Sequence, residues 1–333
     1  MRRLPFSATA EQFGNSTGTG NRQYLLSPSG HVRRPDVVDH QGRFAWYELM
    51  TTDVAAARTF YATVVGWDAR DASTADLGYT LFTSARTAVS GLMNLPNEAT
   101  KKGATPRWMG YIAVNDVDAT TSQWKRLGGA VYVPPTDTNI GRISVVADPQ
   151  TATLALVDGL KLGEAQPAER DQPARVGWHE LLAVDPNEAF AFYGKLFGWQ
   201  KADAETGSME TYQLFAAGGH TIGGMFGKRE REPFPFWLYY FNVDDIDVAT
   251  QRVKSQGGRI FEGPLEVPGG AWVARCIDPQ GAMFALQGRR SRRDSMHNQG
   301  LEVGWSANWG GISSHGKLVK SARSKPGGRD SKK

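Results

Sequence analysis

The chain repeats itself, and no other feature limits its fold as much. Trp46-Tyr47-Glu48-Leu49-Met50-Thr51-Thr52-Asp53 recurs as Trp178-His179-Glu180-Leu181-Leu182-Ala183-Val184-Asp185. The match runs on through Phe60-Tyr61 and Gly66-Trp67, which return as Phe192-Tyr193 and Gly198-Trp199. Later landmarks keep their order. Trp108 pairs with Trp237, Asp116-Val117-Asp118 with Asp245-Ile246-Asp247, Gly128-Gly129 with Gly257-Gly258, and Asp148-Pro149-Gln150 with Asp278-Pro279-Gln280. A period this long means two copies of one folding unit rather than a solenoid of short repeats. The boundaries read as domain 1 over 44–159, a linker over 160–175 and domain 2 over 176–288. A basic arm over 1–43, without hydrophobic periodicity, and a basic, tryptophan-containing extension over 289–333 flank them.

Each copy spells the same string of elements. An apolar, aromatic run (44–51, 176–184) suits a strand. Asp53 and Asp185 then precede helical runs and are placed to cap their free N–H groups, and Gly66 and Gly198 are placed to end them. Strands are expected at 79–83, 89–94 and 108–115 and at their counterparts. A second helix is expected at 118–127, followed by two strands around the Asp-Pro-Gln turn, where proline cannot donate to a ladder. Each copy therefore reads as two βαβββ halves, an α+β fold.

Charge separates the folded part from its flanks. The net +4 comes from residues 1–43, with six basic and three acidic groups, and 288–333, with eleven and three. The middle is acidic, which argues against nucleic acid as its partner. The tails leave one alternative open, a tail-mediated interaction with nucleic acid or an anionic surface. No apolar run approaches the ~20 residues needed to cross a bilayer, so no membrane role is expected. Met1-Arg2-Arg3 leads into no apolar segment, and the cytoplasm is the default location. Cys276 is the sole cysteine, which excludes a disulfide scaffold and multi-cysteine metal sites.

Paired βαβββ halves, a D-x-x-x-A-x-x-F-Y helix, the Gly-Trp after it and the Asp-Pro turn resemble the vicinal oxygen chelate superfamily, which includes glyoxalases, bleomycin-resistance proteins and extradiol dioxygenases. The W-x-E-L-x-x-x-D opening, present twice, looks like a tandem glyoxalase-related subgroup. The resemblance implies two tandem glyoxalase-like domains, each a curved sheet around a cleft. It also implies a divalent metal held by His, Glu or Gln on four strands. Here those four positions fall on Trp46, Gly91 or a neighbour, Tyr111 and Ala155, and in the second copy on Trp178, Gly223 or Gly224, Tyr240 and Ala285. None is a usual ligand, so no metal and no other cofactor is expected.

Strand alternation sends Trp46, Glu48 and Met50 to one face, and Trp178, Glu180 and Leu182 to the matching one. His179 should then face away from the cleft. The candidate catalytic residues are Glu48 and Glu180, carboxylates among aromatics whose pKa desolvation would raise. The candidate ligand-binding residues are Trp46, Met93 and Tyr111 in the first cleft, and Trp178, Met225, Tyr240, Asn242 and Gln287 in the second. Such a pocket suits a small apolar or aromatic ligand anchored at one polar point. Binding without catalysis is the leading reading. A lyase, isomerase or hydroxylase-type enzyme with Glu48 or Glu180 as base is the alternative. Homo-oligomerisation stays open, and 301–313, where Gly304–Ile312 carries two tryptophans, is expected to dock on the repeats or on another subunit.

Overall fold

The computed structural model describes residues 41–161, 172–202 and 212–291. Residues 1–40 of the basic arm, 162–171 of the linker, 203–211, and 292–333 of the C-terminal extension, with its expected docking segment 301–313, lie outside the described residues.

The first repeat runs β1 (Phe44–Thr51), α1 (Val54–Val65), β2 (Asp68–Asp71), β3 (Tyr79–Ser84), β4 (Thr87–Asn94), α2 (Asn97–Lys101), β5 (Arg107–Ala113), α3 (Val117–Arg126), β6 (Ala130–Thr138), β7 (Gly141–Ala147) and β8 (Thr153–Asp158). The second runs β9 (Val176–Ala183), α4 (Pro186–Phe197), β10 (Gln200–Ala202), β11 (Gln213–Ala217), β12 (His220–Gly227), β13 (Phe236–Asp245), α5 (Ile246–Ser255), β14 (Arg259–Glu266), β15 (Trp272–Ile277) and β16 (Met283–Arg289). Each repeat forms one eight-stranded mixed sheet, ordered β2-β3-β4-β1-β5-β8-β7-β6 and β10-β11-β12-β9-β13-β16-β15-β14. The class is α+β, and neither sheet closes. Within a sheet the two βαβββ halves meet at one antiparallel pair, β1 with β5 and β9 with β13.

The helix ends follow the sequence. The Asp53 carboxylate accepts from the Ala56 N–H at 2.9 Å, and Asp185 accepts from Asn187 and Glu188. Gly66 and Gly198 stop α1 and α4 in the left-handed conformation, at φ 83° and 69°. Two pairs of strands escape the sequence reading. β2 is fully exposed along Asp68-Ala69-Arg70-Asp71, and β6 carries Pro134 and Pro135, tolerated because it is an edge strand with register shifts.

Alternation divides each sheet between two cores. Leu49, Leu92, Trp108 and Ile112 turn to the helix side, as do Leu181, Met225, Trp237 and Phe241. There the two repeats share one core, because α1 packs on α5 and β13 of the other repeat and α4 packs on α3. The opposite faces carry two separate clusters, one around Trp46, Met109 and Tyr111 and one around Leu182, Phe226 and Tyr240.

The repeats meet through reciprocal bonds, as in an isologous interface. Tyr61 donates to Asp278 at 3.1 Å, and Tyr193 donates to Asp148 at 2.9 Å. The Trp67 indole donates to the Ala174 carbonyl at 2.8 Å, and the Trp199 indole to the Gly42 carbonyl at 2.6 Å. At the centre, matched positions touch each other. The Tyr47 hydroxyl lies 2.6 Å from His179 Nε2. His179 Nδ1 sits 2.6 Å from the Ile222 carbonyl, which can only accept, so Nε2 of the neutral ring accepts from Tyr47. His179 thus serves the repeat interface and not a cleft. The Gly110 N–H donates to the Tyr239 hydroxyl at 2.7 Å. Position 110 must be glycine for this, since a Cβ there would stand 2.6 Å from that oxygen.

Candidate functional site

Glu48 lies mid-strand on β1, opposite Gly91 on β4 and Met109 on β5. Its side chain is 5% exposed and reaches the face away from the helices. Gly91 lets it be reached there. A Cβ at Gly91 would collide with the Tyr79 phenol, and the missing side chain lets that ring lie across β4. The Tyr79 hydroxyl donates to Glu48 Oε1 at 2.7 Å, and the Tyr111 hydroxyl to Oε2 at 2.7 Å. The Trp46 indole N–H donates in turn to the Tyr79 oxygen at 3.2 Å. Burial pushes the Glu48 carboxyl above its ordinary pKa, and the hydrogen bonds from Tyr111 and Tyr79 offset part of that rise. Burial, and next the Glu48 charge, hold both phenols far above their ordinary pKa, so at neutral pH they are donors. Around this centre stand Met109 and Val157, with half-buried Met50, Met93, Ile143 and Val145.

The second repeat builds the same centre. Trp178 donates to Tyr212 at 2.9 Å, Tyr212 to Glu180 Oε1 at 2.9 Å, and Tyr240 to Oε2 at 2.5 Å. Gly224, paired with Glu180, leaves the space for the Tyr212 ring. One addition changes the electrostatics. Arg275, 2% exposed, donates from Nη2 to Glu180 Oε2 at 2.8 Å. Its Nη1 lies 3.4 Å from Glu232 and 3.3 Å from Glu262, and its guanidinium stands 5.0 Å from the Phe226 ring centre. Arg229 and Arg231 close the cluster on Glu262 at 2.8 and 3.1 Å. In the first repeat Val145 holds the Arg275 position, since each pairs with the alanine opposite, Ala155 or Ala285.

The predicted residues therefore divide. Glu48, Trp46, Met93 and Tyr111 gather in the first cleft, and Glu180, Trp178 and Tyr240 in the second. Met225 does not belong there. One extra residue ahead of β11 shifts the repeat offset, so Met93 corresponds to Phe226, which faces the cleft, while Met225 packs in the helix-side core. Asn242 and Gln287 are next neighbours of Tyr240 and Ala285 along paired strands. Gln287 donates to Asn242 at 2.7 Å and Asn242 to the Gln172 carbonyl at 2.8 Å, which ties down the chain entering the repeat. Sequence reasoning missed Tyr79, Tyr212 and Arg275. The signal for the last was a charged residue inside the apolar run Trp272-Val273-Ala274-Arg275-Cys276-Ile277, because arginine is rarely fully buried without a partner.

The profile of the Glyoxalase/Bleomycin resistance protein/Dioxygenase superfamily matches residues 43–156 and 175–286. The chain belongs to that superfamily. Among its relatives is CFP32 of Mycobacterium bovis, which carries a provisional glyoxylase name. It is 32% identical over 253 residues, covering 74% of this chain and 94% of that protein. The anthracycline biosynthesis protein DauV of Streptomyces sp. (strain C5) is 31% identical over 263 residues, covering 74% and 92%. Among solved structures, the Mn(II)-bound glyoxalase of Novosphingobium aromaticivorans superposes with a TM-score of 0.54 at 15% identity, covering 75% of this chain and 83% of that one. A homoprotocatechuate 2,3-dioxygenase variant of B. fuscum gives 0.52 at 16% identity, covering 75% and 71%. At such identities the structures speak for the shared fold alone.

Among the described residues of this superfamily member, no three His, Cys, Asp or Glu side chains cluster in a way that could hold a metal ion. Each centre offers one carboxylate bonded by two protonated phenols, the second with Glu232 and Glu262 engaged by arginines beside it, while Gly91 and Ala155, like Gly224 and Ala285, offer no donor. No helix among the described residues is long and apolar enough to cross a membrane.

Proposed function

We propose that this superfamily member is a small-molecule-binding protein whose cleft works without a metal, with a buried carboxyl held by two phenols as its polar anchor. The observation that carries the reading is the Tyr79 ring lying over Gly91 with its hydroxyl on Glu48. A metal of the family's usual kind would need a donor from β4 at that point. The chain places there a phenol already spent on the carboxylate, and its neighbours Trp46 and Ala155 offer no ligand atom. What remains is an apolar, Met-lined surface around one carboxyl, which suits a planar or apolar ligand of modest size.

A second reading has an observation of its own. The pKa of Glu48, raised by burial, moves in the direction that suits a group that takes up and returns a proton, as a lyase or isomerase would require. Glu48→Gln separates the two, since it removes turnover outright but only weakens a pure binder.

Elemental analysis with thermal melts in Mn, Fe, Co, Ni and Zn ions tests the metal-free reading. A specific site filled at 100 times its Kd would stabilise the protein by about 2.7 kcal/mol, or roughly 5–11 °C in Tm for a domain of this size. No stoichiometric metal and no such rise is the expected result. One equivalent of bound metal with a rise of that size overturns it. Quenching of tryptophan fluorescence by a panel of aromatic compounds, weakened in Glu48→Gln, then reports ligand binding at this centre.

A further inference from the structure

We propose that the first cleft takes a small organic cation, an amine, amidine or guanidine on an apolar body, with its charged head on Glu48. The inference deepens the small-molecule reading above and rests on it.

The second repeat supplies the argument. There the Trp–Tyr–Glu–Tyr centre is completed from within the chain. Glu180 Oε2 accepts from Tyr240 and from the Arg275 guanidinium together, and the flat of that guanidinium lies against Phe226. A carboxylate has about four acceptor sites, so two phenols do not saturate it. A buried carboxylate is costly unless a cation offsets it. The first repeat holds every part of this centre except the cation. Trp46, Tyr79, Glu48 and Tyr111 repeat the bonds of Trp178, Tyr212, Glu180 and Tyr240, and Val145 stands where Arg275 would be.

Exposure gives an independent mark. Leu182, Phe226, Val273 and Arg275 are all buried, whereas their counterparts Met50, Met93, Ile143 and Val145 are all half-buried. At the other end of the centre the order reverses, with Trp178 and Tyr212 half-buried and Trp46 and Tyr79 buried. The first repeat is thus the less covered of the two only on the side that Arg275 fills. The first cleft is less covered where the second holds a guanidinium, and the half-buried side chains there are hydrocarbon and thioether. Such walls suit the body of a cation, since methionine packs adaptably around irregular apolar and aromatic groups. Arg107, a cation carried on this same face, donates to the Thr105 carbonyl at 3.1 Å and is not bonded to Glu48.

Isothermal titration of the full chain with benzamidinium, phenethylammonium and butylguanidinium tests the assignment, with benzamide and benzoate as neutral and anionic counterparts. The expected result is one cation per chain, bound at least tenfold more tightly than benzamide, with benzoate not bound. Glu48→Gln should weaken the cation at least tenfold. Val145→Arg should abolish binding, because its own guanidinium would take the place of the ligand's head. The second variant keeps the test intact if the first fails to fold. Neutral probes that bind as well as the cations and are displaced by Val145→Arg would overturn the cationic head and leave the small-molecule reading standing. Absence of binding across the charged and neutral probes and the aromatic panel would overturn both.

Discussion

Arg275→Met removes the cation from the second cleft at nearly constant side-chain length. It leaves Glu180 and Glu232, with side chains 5% and 1% exposed, without their guanidinium partner. Each keeps some compensation. Glu180 still accepts from Tyr212 and Tyr240, and Glu232 from the Arg229 backbone N–H at 2.6 Å. Glu262 retains Arg229 and Arg231 and is only partly buried, so it adds little. Removing one partner of a buried ion pair costs about 3–5 kcal/mol. At roughly 2–4 °C per kcal/mol for a chain this large, Tm should fall by about 6–20 °C, read by calorimetry at pH 7. The loss should also depend on pH. Burial would raise the Glu262 carboxyl, but a hydrogen bond from Arg229 and the charges of Arg275, Arg229 and Arg231 hold it below its ordinary value. A depressed carboxylate stabilises the fold above its unfolded pKa, about 4.3, and that stability is lost as pH falls through the folded value. Removing Arg275 takes part of this away, so the deficit is largest near neutrality and shrinks in acid. Adding Glu180→Gln to Arg275→Met should cost less than the two single changes together, because the stranded charge is gone. A single-variant loss under about 1 kcal/mol, the range of exposed pairs, would refute the view that this cluster is a buried, obligatory unit.

Other outcomes follow from the same geometry. The Glu48 pKa is raised, so its contribution to stability is full below the unfolded value and lost as pH rises through the folded one. Glu48→Gln cannot titrate, so the variant's Tm should gain on that of the unaltered chain between pH 4 and pH 8, and a difference that stays flat would contradict the shift. Gly110→Ala puts a methyl 2.6 Å from the Tyr239 hydroxyl and 2.8 Å from Phe44 and should cost about 1–3 kcal/mol by overpacking, seen as a lower urea midpoint. Tyr61→Phe and Tyr193→Phe each take the donor from a buried aspartate and an acceptor from a buried indole. Each should lose about 1–3 kcal/mol, and clearly unequal losses would show that the reciprocal bonds are not equivalent.

The sequence made the fold legible wherever the local rule and the tertiary need agree. Asp53 with Gly66, and Asp185 with Gly198, mark helix ends by side-chain and backbone chemistry that acts within a few residues. The alternation of β1 placed Glu48 on the cleft face because one buried face fixes the register. The edge strands were illegible for the opposite reason. β2 buries nothing, so no pattern is imposed on it, and β6 tolerates two prolines because it bonds on one side only. Met225 went to the wrong face through a single inserted residue, which in a strand reverses every side chain beyond it. Tyr79 and Tyr212 looked like ordinary strand residues. Only the pairing of β3 with β4, and of β11 with β12, brings their rings over Gly91 and Gly224. Arg275 lies 95 positions from Glu180, and no local pattern links them.

The contacts at the centre of the repeat interface bear on how this molecule can still change. The Tyr47 hydroxyl hydrogen-bonds to His179 and Gly110 makes room for Tyr239, although in each pair the two residues hold the same place in their repeats. A symmetric dimer of either half could not reproduce this. Two copies of the first half would set glycine against glycine and leave a hole. Two copies of the second would force two tyrosine rings into one space. The halves have become lock and key to each other. Recombination that swapped one for a duplicate of the other would break the joint even if each half folded well, so the two clefts are free to diverge in chemistry while the pairing that carries them stays fixed.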